Sequence, residues 1–149
     1  AALGVGTLLS AALYERVLDR AEPELGDLPP AVDEACWRLP SVARAVEEQY
    51  GAKRQRLDLI RQKIAQRDVW EQLRMRVRAE VKSPETIHGW LSRAGGATSL
   101  ADIGCSRERL RSAILHMHEI RKRFTIIDLA WLVGVMPTAT DDIIDEWLT

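Results

Sequence analysis

From Ser83 to Gly134 the chain alternates capping signals with apolar residues that return every three or four positions, a pattern that only packed helices satisfy. Ser83-Pro84-Glu85 supplies a serine cap, a proline at the first helical position and an acid in the first turn. Gly95-Gly96 closes that helix. Ser106 caps the next one, with Arg109 where a capping box would place Glu, so half of that signature is present. The basic run Arg121-Lys122-Arg123 closes it, where cations complement the exposed carbonyls of a last turn, and the apolar Ile126–Gly134 segment follows.

The remaining segments also have helical period. Leu3 to Arg20 predicts a helix buried on most sides, in which Gly4, Gly6, Ser10 and Ala11 permit close backbone approach. Residues 21–30 carry three prolines and Gly26 and predict a loop. Asp33 to Leu39 predicts a short helix ended by Pro40, and Ser41 to Tyr50 another, stopped by Gly51. The longest helix is expected from Lys53 to Val81. Leu57, Ile60, Ile64, Trp70, Leu73 and Val77 form its apolar stripe, with a longer gap before Trp70, and arginines crowd the other face. Asp141 opens a last short helix ending near Trp147. No strand alternation, internal repeat or low-complexity segment is present, so the expectation is one all-α domain over residues 1–149.

Composition bounds what such a domain does. With 46% apolar and 29% charged residues the chain has the balance of a globular protein with one core. The net charge of −1, from 21 basic and 22 acidic residues, provides no global field toward nucleic acid or anionic membrane. The apolar opening AALGVGTLLSAAL is too short for a membrane span and lacks the basic leader of a signal peptide. Its uncapped start, without an initiator Met, predicts a chain that begins inside something longer or after processing. Cys36 and Cys105 have no metal-type spacing and read as reduced thiols of a cytoplasmic protein.

Reactive constellations are sparse. Glu85-x-x-His88 sets two potential metal ligands on one helical face, but the spacing needs a second such motif and two more glutamates opposite. His116-x-x-Glu119 runs in the reverse order and pairs with nothing evident. His116 and His118, two apart, are expected on opposite sides of a helix. No nucleophile elbow occurs, and Gly4-Val5-Gly6 lacks the strand and third glycine of a dinucleotide loop. Arg121 and Arg123 are candidates for contacting an anion. A helix-turn-helix centred on Gly104, with Arg107, Arg109 and Arg111 in the second helix, is a rival reading, weakened by a first helix about one turn long and by the neutral charge.

Three segments resemble one family. Ala1 to Glu15 is similar to the small-residue helix that follows a metal-binding histidine and glycine in the glycerol-1-phosphate dehydrogenases, within the iron-containing alcohol dehydrogenase and dehydroquinate synthase group. Ser83-Pro84-Glu85 with Ala94-Gly95-Gly96-Ala97-Thr98 looks like that family's loop-and-helix pair. Leu115 to Leu129 is similar to its closing motif, the most specific match.

The resemblance implies a multi-helix bundle of the dehydroquinate synthase-like C-terminal type, joined to a nucleotide-binding α/β domain. It implies a metal-dependent, NAD(P)-linked dehydrogenase that moves hydride between the cofactor and dihydroxyacetone phosphate and forms homo-oligomers. The family binds zinc or another divalent ion through one aspartate and two histidines; none matches a position here, and His88, His116 and His118 do not fall on ligand positions. Catalytic, cofactor-binding and metal residues are therefore expected outside this chain. Gly4 and Gly6 are expected as wall positions of the cleft. The competing class is a non-catalytic helical module that binds a partner.

Overall fold

The computed structural model describes residues 2–149. Seven α-helices account for the regular structure, with no strand among the described residues: α1 (Ala2–Leu18), α2 (Pro40–Ile64), α3 (Arg67–Glu80), α4 (Pro84–Arg93), α5 (Arg107–His116), α6 (Ile126–Leu132) and α7 (Thr140–Trp147). The fold is all-α, as the periodicity predicts.

Helix α1 is the centre of the assembly and packs against α4, α6 and α7. Leu8, Leu13 and Val17 are fully buried on it, each stabilising the fold by roughly 1.5–3 kcal/mol relative to exposure. Helix α6 is buried along its whole length, so its backbone ends are satisfied internally. Its C-terminus closes with Val135 N–H donating to Ala130 O (2.9 Å) and Gly134 N–H to Trp131 O (3.2 Å), with Gly134 at φ +72°. That paired arrangement needs a residue free to enter the left-handed region.

Ser83 and Ser106 cap α4 and α5 as expected, accepting from Thr86 N and Arg109 N at 3.2 Å. Four expected boundaries move. Pro40 does not end a helix but occupies the first position of α2, where its missing N–H costs nothing. The segment expected as a helix from Asp33 is one turn, closed by Cys36 N–H to Asp33 O and Trp37 N–H to Glu34 O. Gly51 does not stop its helix. Val46, Tyr50, Lys53, Leu57 and Ile64 lie on a single buried stripe, and its burial outweighs the roughly 1 kcal/mol that a mid-helix glycine costs. The long helix expected to Val81 instead breaks at Ala65-Gln66, where Gln66 is extended (φ −76°, ψ 121°). The break falls in the widened gap before Trp70 and brings that indole back to the core side, fully buried.

Between α1 and α2 a strap of residues 19–39 crosses the body without regular structure. It is pinned near its start by Gly26, whose N–H donates to Leu132 O at 2.8 Å. A Cβ at Gly26 would lie 2.5 Å from Trp131 O, so only glycine fits there.

Candidate functional site

Polar side chains are drawn into the interior beneath the strap. Lys53, on the inward stripe of α2, is 1% exposed, and its ammonium lies 2.7 Å from Asp128 Oδ1 and donates to His118 O. Asp128 sits at the third position of α6, where its Oδ2 accepts from Thr125 N at 2.8 Å and from Thr125 Oγ1 at 3.2 Å. One carboxylate thus caps α6 and neutralises a buried lysine. Burying two charges is tolerable only with such pairing and with hydrogen bonds to the remaining atoms. Beside the pair, Tyr50 donates its hydroxyl to Pro29 O (2.8 Å), and burial pushes its phenol pKa up to about 12.

The turn after α5 supplies the second half of the cluster. Helix α5 ends at His116, and residues 117–120 turn, so the periodicity that would part His116 from His118 no longer applies. Both histidines instead line one cavity of about 410 Å³, with Asp33, Glu119, Trp131 and Pro30. Glu119 is 1% exposed and accepts from Trp37 Nε1 (2.7 Å) and from His116 Nδ1 (2.8 Å). That bond turns His116 Nε2 toward Asp33, whose Oδ2 is 4.0 Å away. His118 is also 1% exposed; its Nε2 lies 3.2 Å from Pro30 O, and its ring meets the Tyr50 and Trp131 rings edge to face. A carbonyl only accepts, so Nε2 carries the proton and Nδ1 the lone pair. Burial holds the His118 imidazole below the usual histidine range.

The spacing of His116 and Glu119 is visible in the sequence, but their mutual pairing and their place in this cluster are not. Lys53 and Asp128 were missed altogether. Two signals point to them: a lysine interrupting the stripe between Tyr50 and Leu57, and a lone carboxylate three residues after Thr125 in an apolar run.

The other sequence candidates are scattered. Glu85 and His88 are exposed on α4, and no group of three His, Cys, Asp or Glu side chains suited to a metal is gathered among the described residues. Cys36 and Cys105 are unpaired thiols. The segment before Gly104 is a three-residue 3-10 turn (Ala101–Ile103), and Arg107 and Arg111 of α5 are held by Asp141 and Asp145 of α7. Arg121 and Arg123 lie exposed in the turn between α5 and α6 rather than in the last turn of a helix, beside Arg56, which donates to Lys122 O at 2.9 Å. A Cβ at Gly4 would meet Ala97 O at 2.6 Å, so its close approach is to the chain's own loop. Gly6 is exposed, and a Cβ there meets nothing within 4 Å. No helix among the described residues is long and apolar enough to cross a membrane. Comparison with protein-family models, with curated proteins and with solved structures finds no match.

Proposed function

We propose that this chain is the helical half of a metal-dependent, NAD(P)-linked dehydrogenase acting on glycerol phosphate, dihydroxyacetone phosphate or a related small polyol. Helix α1 forms one wall of the cleft and Gly6 is the wall position. The observation that carries the reading is the two-sidedness of the start of α1. Val5, Leu8 and Leu9 bury into the core, while Gly6 and Thr7, beside the 84% exposed Leu3, leave the opposite face uncovered. Such a face admits another domain or a substrate close to the backbone.

Among the described residues no metal cluster is gathered, and no step of the reaction is assigned to them. The metal and nucleotide sites belong to an α/β domain or subunit, and the assembled enzyme is a cytoplasmic homo-oligomer. Its two free thiols fit a reducing compartment. Arg121 and Arg123 are available for an anionic group of substrate or cofactor.

The test is turnover of dihydroxyacetone phosphate with NADPH and zinc, by this chain alone and by the full product of its gene. The chain alone is expected to be inactive and the full product active. Gly6→Leu in the full product is expected to lower kcat/KM at least tenfold with the helical circular dichroism unchanged. An inactive full product overturns the dehydrogenase reading. It would favour a second one, a helical interaction module, for which the uncovered Leu3 and the exposed Met75 and Trp90 are the supporting observation.

A further inference from the structure

The strap's second half, residues 29–39, is held to the helical body by side chains rather than by a backbone ladder. Tyr50 of α2 donates to Pro29 O, His118 of the α5–α6 turn donates to Pro30 O, and Trp37 of the strap donates to Glu119. His116, the last residue of α5, faces Asp33. His118 is buried as deeply as Tyr50 and Glu119, at 1% exposure, and its Nδ1 is a buried polar atom without a partner among the described residues.

We propose that His118 is an acid-sensitive latch: protonation of its imidazole releases residues 29–39 of the strap from the helical body.

The charged and titratable groups around the ring decide the direction. From α2, the Lys53 ammonium repels an imidazolium, and the Tyr50 phenol is neutral and already donating to Pro29. From α6, Asp128 attracts it but is committed to Lys53 and to Thr125. From the turn itself, Glu119 attracts it but already accepts from Trp37 and His116. Asp33, His116 and Arg111 line the same cavity; His116 is engaged by Glu119 and lies 4.0 Å from Asp33, and Arg111 is paired with Asp141. In the closed state no carboxylate is hydrogen-bonded to Nδ1. A buried imidazolium therefore gains a donor with no acceptor and loses its hydration.

Opening the strap lets water reach the ring, and the relief of burial outweighs loss of the Pro30 carbonyl, which itself favours the protonated form. The open state then binds the proton more tightly than the closed one, as the lowered His118 pKa in the closed state also indicates. Closure is complete above the ordinary histidine range, near pH 6.5, and weakens as pH falls below it. Gly26 and α2 stay in place, so the segment opens as a hinged loop between two fixed ends.

The experiment reads hydrogen exchange of two indole N–H protons by nitrogen-15 NMR between pH 7.5 and 5. Trp37 reports the strap through its bond to Glu119, and Trp70, whose Nε1 donates to Arg20 O at 2.9 Å in the core, is the internal control. After correction for the intrinsic pH dependence of exchange, Trp37 protection is expected to fall by up to about tenfold per pH unit below pH 6, the limit for one proton, with Trp70 protection unchanged. His118→Gln keeps an N–H for Pro30 O but does not titrate, and is expected to remove the pH dependence. His116→Gln is expected to keep it. Three results would overturn the latch: Trp37 protection independent of pH, a dependence that persists in His118→Gln, or one that vanishes in His116→Gln instead.

Discussion

Lys53 and Asp128 are 75 positions apart, and each is intelligible only through the other. Truncating the lysine leaves a carboxylate that is 0% exposed without its counter-charge, because its remaining bonds come from neutral Thr125. Lys53→Met is therefore expected to destabilise the fold by about 3–5 kcal/mol, read as a lower midpoint in urea unfolding with an unchanged slope. A loss below about 1 kcal/mol would mean that water reaches Asp128. At this scale the sequence was least legible. Serine caps act within three residues and are legible locally, whereas the partners in the buried cluster come from the strap, α2, the end of α5, the α5–α6 turn and α6. His116 and Glu119 had the right spacing, yet their role depends on Trp37, which no local pattern connects to them.

Elements were legible wherever local signals agreed with burial. The starts of α4 and α5 are set by a side-chain oxygen accepting from an N–H three residues on, a short-range event that any tertiary setting preserves. Helix α2 shows the opposite case, because a glycine that looks like a stop lies inside a stripe of buried residues running from Val46 to Ile64. Space at that glycine is open: a Cβ meets nothing within 4 Å. Gly51→Ala is thus expected to raise stability by about 0.5–1 kcal/mol, measurable as a higher melting temperature. A decrease would mean that the helix does end at Tyr50. The break at Ala65-Gln66 was invisible as a boundary because neither residue is a breaker; only the extra spacing before Trp70 recorded it.

For the whole molecule, the decisive fact is that α1 is the element the others share. It touches α4, α6 and α7, while α2 meets the body through Tyr50 at the strap and Lys53 at α6. Backbone amides of α1 from Leu8 to Val17 are expected to exchange only through global unfolding, with protection equal to that of α6, while the solvent-facing side of α2 before Tyr50 exchanges at least tenfold faster. Hydrogen exchange followed by mass spectrometry checks this, and faster exchange in α1 than in α2 would remove it from the centre. The same centrality gives the uncovered face at Leu3, Gly6 and Thr7 its meaning. The helix that organises this core also leaves Leu3, Gly6 and Thr7 exposed.

By itself the sequence determined the helical class, the capped starts of α4 and α5 and the loop character of residues 21–30. All of these follow from periodicity and from interactions spanning a few residues. Only the tertiary structure decided that α2 runs through Gly51, that His116 and His118 share one cavity, and that Lys53 is neutralised by Asp128. Those outcomes depend on which surfaces are buried together, and burial sets the cost of a charge, the worth of a hydrogen bond and the tolerance for a glycine.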